Sequence, residues 1–202
     1  MSFGTMVVVG GSLNPPGVHH KKIAKTLAKN PKFDIVLIVP CGLRPDKEHS
    51  AFVAPDIREQ MVRATFTGIK NVWMDFSDIT SEEFTRTIDL DRQIRYRYEP
   101  TELWHFVGSD LIVGGRAGQS QIQLEWVCGQ ELWHCLNFVI SQRPGYPISG
   151  SDLPPKHLML EESFPGSSTE IRQQAAYNRQ FHKLVVPQVA HIIASKRLFG
   201  YQ

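Results

Sequence analysis

The residues with the clearest chemical potential gather near the amino terminus. There Gly10-Gly11-Ser12-Leu13-Asn14-Pro15-Pro16-Gly17-Val18 runs into His19-His20-Lys21-Lys22. Glycine lets a backbone approach a phosphate closely, and the unpaired N–H groups of a helix start add partial positive charge. Lysines in a first helical turn oppose the helix dipole, so they are better accommodated when an anion sits nearby. The same residues also fit a plain turn followed by a solvated lysine face, and composition alone does not choose. Neither the glycine spacing of a Walker phosphate loop nor that of a dinucleotide fingerprint is present.

Further groupings follow along the chain. Lys47 and His49 sit in a polar loop, and Thr87 with Asp89 precedes a helical stretch. Asp110 closes the run Phe106-Val107-Gly108-Ser109, and Trp126 stands ahead of Phe138–Ser141. Ser167-Ser168-Thr169-Glu170-Ile171-Arg172 has the serine-to-glutamate spacing of a capping box, with a guanidinium one turn in. Each has a structural reading. Asp110, Thr87 and Asp89 could be helix caps, Trp126 could be core, and Arg172 could be solvated.

Short apolar runs alternate with segments of helical period, and these elements must position such groups. Met6–Val9 and Asp34–Pro40 read as strands buried on both faces, and Val72–Phe76, Leu103–Val107, Phe138–Ser141 and His157–Leu160 as further strands. Helices are expected over His20–Lys29, Ala54–Thr67, Ser168–Tyr177 and Gln188–Leu198, with another running from Thr87 through Arg92. Strand–helix alternation predicts a doubly wound, Rossmann-like parallel sheet flanked by helices. Such sheets bind ligands beyond the carboxyl ends of their strands. The loops after Val9, Val39, Val107 and Leu160 should therefore face one cleft.

With 202 residues and no repeat or linker, the chain reads as a single domain spanning 1–202. A net charge of +2, with basic residues dispersed, argues against nucleic acid as a partner. The three cysteines form no CxxC pair and are expected as buried or partly buried free thiols. No run reaches the length of a membrane span, and the cytoplasm is the expected location. A homo-oligomer is as compatible with the sequence as a monomer.

The first loop resembles the motif GG[ST]FDPxHxGH of the nucleotidyltransferases. Asn14 takes the place of the aspartate and His20 that of the second histidine; Gly17 stands where the first histidine belongs, and His19 on the motif's glycine. Further matches follow in order. Val39 to Lys47 is similar to IPxxxPPHK, Thr85 to Asp89 to SYTxD, and Gly108-Ser109-Asp110 to GAD. Gln142-Arg143-Pro144-Gly145 is similar to xRPG, and Ser167 to Arg172 to SSTxIR.

Together these resemble bacterial nicotinate-mononucleotide adenylyltransferase. The resemblance implies ATP and a pyridine mononucleotide as substrates, with Mg²⁺ accompanying ATP. It implies ATP contacts at Gly10, Gly11, Ser12, Asn14, His20, Asp110, Ser168, Thr169 and Arg172, and acceptor contacts at Lys47, Thr87 and Trp126. His20, Lys47 and Arg172 would carry the catalysis. Two alternatives stay open: another phosphorylated acceptor, such as nicotinamide mononucleotide, or a nucleotide-binding homologue without turnover because of Gly17.

Overall fold

A computed structural model describes residues 4–43, 52–81 and 84–202. The apolar runs form a sheet of six strands: β1 (Thr5–Gly11), β2 (Ile35–Pro40), β3 (Val72–Met74), β4 (Glu102–Gly108), β5 (Asn137–Ser141) and β6 (His157–Leu160). Their spatial order is β3-β2-β1-β4-β5-β6, and every neighbouring pair is parallel. Among the described residues, seven α-helices accompany them, the last two after β6: α1 (Val18–Lys29), α2 (Pro55–Phe66), α3 (Thr87–Tyr98), α4 (Gln121–Glu125), α5 (Gly129–Cys135), α6 (Ser168–Ala176) and α7 (Pro187–Ser195).

Period-two alternation in β1 explains why helices are needed on both faces. Val7 and Val9 pack with Ile23 and Leu27 of α1 and Val62 and Phe66 of α2. Met6 and Val8 point to the opposite side, against Ile94 of α3. Beyond β4, Val107, Phe138 and Ile140 are covered by Ile122, Leu132 and Trp133 from α4 and α5. Helices α2, α6 and α7 share a further apolar cluster around Met61, Ile171, Ala175, Val189 and Ile193. The fold is the expected Rossmann-like, doubly wound α/β arrangement.

Boundaries differ where backbone pairing outruns the apolar pattern. Strand β1 continues through Gly10 and Gly11, which pair in register with Val39 and Pro40. The turn therefore begins at Ser12 rather than at the glycines. Helix α1 starts at Val18, two residues before the expected His20. Helix α3 continues past Arg92 to Tyr98. None of the three cysteines is in a disulfide, and only Cys41 is buried; Cys128 and Cys135 are exposed. Among the described residues, no helix is long and apolar enough to cross a membrane.

Candidate active site

Strands β1 and β4 are neighbours, while the chain leaves β1 towards β2 on one side and leaves β4 towards β5 on the other. This topological switch point is where doubly wound sheets bind ligands. Two cavities of about 300 and 650 Å³ open there. Both are lined by Gly10, Gly11, Phe106, Val107, Leu111 and Gln121, so they are two compartments of one cleft. A Cβ at Gly10 or Gly11 would meet no protein atom within 4 Å. The strand end presents bare backbone to the space between the compartments.

The larger compartment is lined by Gly10, Gly11, Ser12, Asn14, His20, Asp110, Ser168, Thr169 and Arg172, which is the whole set expected around ATP. His20 lies in the first turn of α1, where its Nδ1 accepts a hydrogen bond from the Gly17 N–H at 2.9 Å. Its proton must then sit on Nε2, the ring's remaining donor. Burial, followed by the charges of His19 and Arg143, holds His20 well below the usual imidazole range. It is a neutral N–H donor at neutral pH.

His19 stacks obliquely on His20, with ring centroids 3.9 Å apart. Burial, helped by Arg143, pushes it down to about 4. Its ring fills a slot between two glycines. A Cβ at Gly17 would lie 2.6 Å from His19 Nδ1 and 2.8 Å from Ile171 Cδ1, and one at Gly166 would lie 2.8 Å from His19 Nδ1. Glycine at position 17 is thus a packing requirement of His19.

Helix α6 is docked on the first loop by the residues expected to meet phosphate. Ser167 caps it by accepting from the Glu170 N–H at 3.0 Å. Ser168 Oγ donates to the Pro15 carbonyl at 2.9 Å, and Arg172 Nη1 to the Asn14 carbonyl at 2.9 Å. Arg172 Nη2 also donates to Thr169 Oγ1 at 3.2 Å. A guanidinium has five N–H donors, so these bonds leave others for a ligand. Burial lowers Arg172 from its ordinary value, but an arginine remains a cation. Opposite, Asp110 Oδ2 accepts from Arg143 Nη1 at 3.1 Å, while its buried Oδ1 has no partner. Gly108 permits this arrangement, because a Cβ there would come within 2.3 Å of Asp110 Oδ1.

Thr87 and Trp126, expected at the acceptor, line the smaller compartment instead. Thr87 is the first residue of α3, and Thr85, Arg86 and Thr87 together place that helix's N-terminus at the cavity wall. Unpaired N–H groups and the dipole there favour an anion. Trp126 caps the end of α4, half-buried and packed against the apolar cluster around Ile122 and Leu132. Lys47, expected at both the acceptor and the catalytic centre, lies outside the described residues, as does His49. The Gly114–Gly118 stretch forms a short turn in which Gly115 packs against Trp133 and Asp152.

Residues that sequence reasoning left out also shape the site. Arg58 of α2 is only 1% exposed. Its Nη1 donates to the Ser12 carbonyl at 3.0 Å and the Cys41 carbonyl at 2.6 Å, and its Nη2 to the Ile79 carbonyl at 3.2 Å. One guanidinium thereby ties together the loops that follow β1, β2 and β3. An arginine in an amphipathic helix carries no sequence signal for this. Arg143 and His19 line the larger compartment, and His105 lines the smaller one.

No family model matches the chain. A relative from Nitratiruptor sp., described as a probable nicotinate-nucleotide adenylyltransferase, is 29% identical over 167 residues, spanning 83% of this chain and 86% of its own. One of the same description from Shouchella clausii is 26% identical over 191 residues, 95% of this chain and 94% of its own. Among solved structures, Plasmodium falciparum nicotinic acid mononucleotide adenylyltransferase complexed with NaAD has a TM-score of 0.80 at 20% identity, covering 98% of each chain. Its complex with APC has a TM-score of 0.73 at 19% identity, again covering 98% of each. The chain therefore has the fold of a nucleotidyltransferase and resembles that superfamily. Within it, the resemblance is to nicotinate-nucleotide adenylyltransferases, over nearly the whole chain.

Proposed function

We propose that residues 1–202 form one adenylyltransferase domain that transfers the adenylyl group of ATP to nicotinate mononucleotide, giving the dinucleotide and pyrophosphate. The observation that carries this reading is the division of the cleft. Phosphate-type residues line one compartment, Trp126 and Thr87 line the other, and Gly10-Gly11 lies between them. Sequence similarity to nicotinate-nucleotide adenylyltransferases supports the same assignment.

An ionised 5′-phosphate oxygen of the mononucleotide attacks the α-phosphorus of ATP. A new P–O bond forms, the bond to the β-phosphate oxygen breaks, and pyrophosphate leaves. The nucleophile is already charged, so alignment and stabilisation of developing negative charge suffice. His20 donates from Nε2 to the α-phosphate. Ser168, Thr169 and Arg172 hold the triphosphate, a fork of guanidinium donors suiting phosphate oxygens. Gly10, Gly11, Ser12 and Asn14 provide the close backbone approach, and Asp110 offers an acceptor to the nucleoside. Lys47 acts at the acceptor phosphate. Trp126 stacks on the pyridine ring, and Thr87, with the start of α3, receives the carboxylate. That helix N-terminus favours the nicotinate form over its uncharged amide.

Among the described residues, no cluster of three or more His, Cys, Asp or Glu side chains could cage a metal ion. Mg²⁺ would be held mainly by phosphate oxygens and water rather than by protein side chains. Bound with ATP, the ion would neutralise phosphate charge.

Pyrophosphate release from ATP, measured with each mononucleotide for the wild type and His20→Ala, tests the reading. Preference for the nicotinate form and loss in the variant are expected. Equal background release from both proteins would overturn it.

A further inference from the structure

A buried polar pair, one member of which lines the smaller compartment, has no part in the chemistry above. His105 lies in the middle of β4, in register with Val8 of β1, and both residues line that cavity. Its neighbours along the strand, Leu103, Trp104, Phe106 and Val107, are apolar, and His105 is only 4% exposed. Its Nε2 lies 2.8 Å from Oδ1 of Asp91, itself buried in α3. Asp91 also accepts from Arg95 Nε at 2.7 Å and Nη2 at 3.4 Å. These hydrogen bonds hold the Asp91 carboxyl below the usual carboxylate range against the opposing effect of burial. An ionised carboxylate only accepts, so the His105 proton must lie on Nε2. In the neutral ring, Nδ1 then carries a lone pair. That atom has no hydrogen-bond partner among the described residues, yet it is not fully enclosed by protein. The cavity is the space left to it.

We propose that His105 is an acceptor-binding residue of the smaller compartment. Its Nδ1 accepts a hydrogen bond from an N–H or O–H donor of the bound mononucleotide, and Asp91 is the positioning residue that fixes the tautomer. The proposal rests on the adenylyl-transfer reading, which makes this compartment the acceptor's. Two parts of a pyridine mononucleotide carry such donors: the ribose hydroxyls, present in every form, and the ring amide, present only in the nicotinamide form.

The test measures KM for nicotinate and nicotinamide mononucleotide at saturating ATP, in the wild type, His105→Phe and Asp91→Asn. His105→Phe removes the acceptor atom. Asp91→Asn keeps the histidine but lets the new amide donate to Nε2, moving the ring proton to Nδ1 and turning the acceptor into a donor. A rise of roughly three- to tenfold in acceptor KM is expected in both variants, the size of one lost hydrogen bond, with KM for ATP unchanged. A rise confined to the nicotinamide form assigns the donor to the ring amide; an equal rise with both forms assigns it to the ribose. A purely structural tie would survive in Asp91→Asn through the Asn–His hydrogen bond. Unchanged acceptor KM in either variant therefore overturns the proposal. A wild type that releases no pyrophosphate refutes adenylyl transfer itself, whereas an active wild type with unshifted variants refutes only the role of His105.

Discussion

The Gly17 N–H donates to Nδ1 of His20 at 2.9 Å, so the start of helix α1 fixes the tautomer of the histidine that lines the larger compartment. A backbone bond of this kind leaves Nε2–H as a preset donor. Replacing His20 by alanine is expected to lower turnover by about 10²–10³-fold, the usual cost of one transition-state donor. The pH profile adds a second check. His20 titrates well below 6.5, so its donor persists as pH falls through the ordinary imidazole midpoint. Pyrophosphate release should show no His20-dependent loss centred near pH 6.5. Such a loss, present in the wild type and absent in His20→Asn, would contradict the assigned role.

His19 gives the fold its own pH dependence. Its value drops from 6.5 to about 4 on folding, so the unfolded chain binds a proton between those limits that the native chain does not. The stabilisation is fully present above pH 6.5 and is lost as pH falls towards 4. Across that window the loss amounts to about 3 kcal/mol, with His20 acting in the same direction. Urea denaturation at pH 7 and pH 4.5 measures it. The slope should flatten in His19→Asn, and an equally steep slope in that variant would remove His19 as its source.

Packing around the same ring leads to a prediction for Gly17. A Cβ at that position meets His19 and Ile171 at 2.6 and 2.8 Å, so Gly17→Ala should destabilise the protein by about 1–3 kcal/mol. In a His19→Ala background the penalty should fall by at least half, since the more crowded partner is gone and contacting sites couple. Additive thermal-melt shifts in the double variant would show that His19 is not the constraint.

Much of the architecture was legible because burial leaves a pattern. Met6–Val9 and Ile35–Val39 are unbroken apolar runs, the pattern of a strand covered on both faces. The motif residues from Gly10 to Arg172 could be ordered along the chain, and the parallel sheet brings the described ones to one end. Their partition between two compartments was not legible, since it depends on how α3, α4 and α6 stand around the switch point. The second half of α3 was hidden for a different reason. Arg92, Arg95 and Arg97 give its exposed side a heavy charge, and its buried stripe is interrupted by Asp91, which pairs with His105 through space and with Arg95 along the helix. Pairwise burial of charge has no local signature.

Arg58 is the strongest case of that kind. Its three carbonyl partners come from separate loops, and no other cation has the spread to reach them all. A lysine places its donors on one atom and cannot span the three. Arg58→Lys should cost about 2–4 kcal/mol of stability, because buried carbonyls lose their donors. It should also raise KM for ATP by loosening the Ser12 loop. Urea unfolding reads the first effect and steady-state kinetics the second. A loss under about 1 kcal/mol would mean that the loops hold their positions without it.

Trp126 separates binding from folding most cleanly. It is half-buried just after α4, at the wall of the smaller compartment, and packs against the edge of the apolar cluster around Val107 and Leu132 without being enclosed by it. An aromatic platform under a heterocycle contributes about 1–3 kcal/mol by alanine substitution. Trp126→Ala should therefore raise the acceptor KM by roughly tenfold or more, with KM for ATP and the melting temperature little changed. Trp126→Phe should recover most of the loss, because the smaller ring still offers a stacking face. If alanine instead lowers the melting temperature strongly and leaves the acceptor KM alone, Trp126 belongs to the core and another residue must receive the pyridine ring.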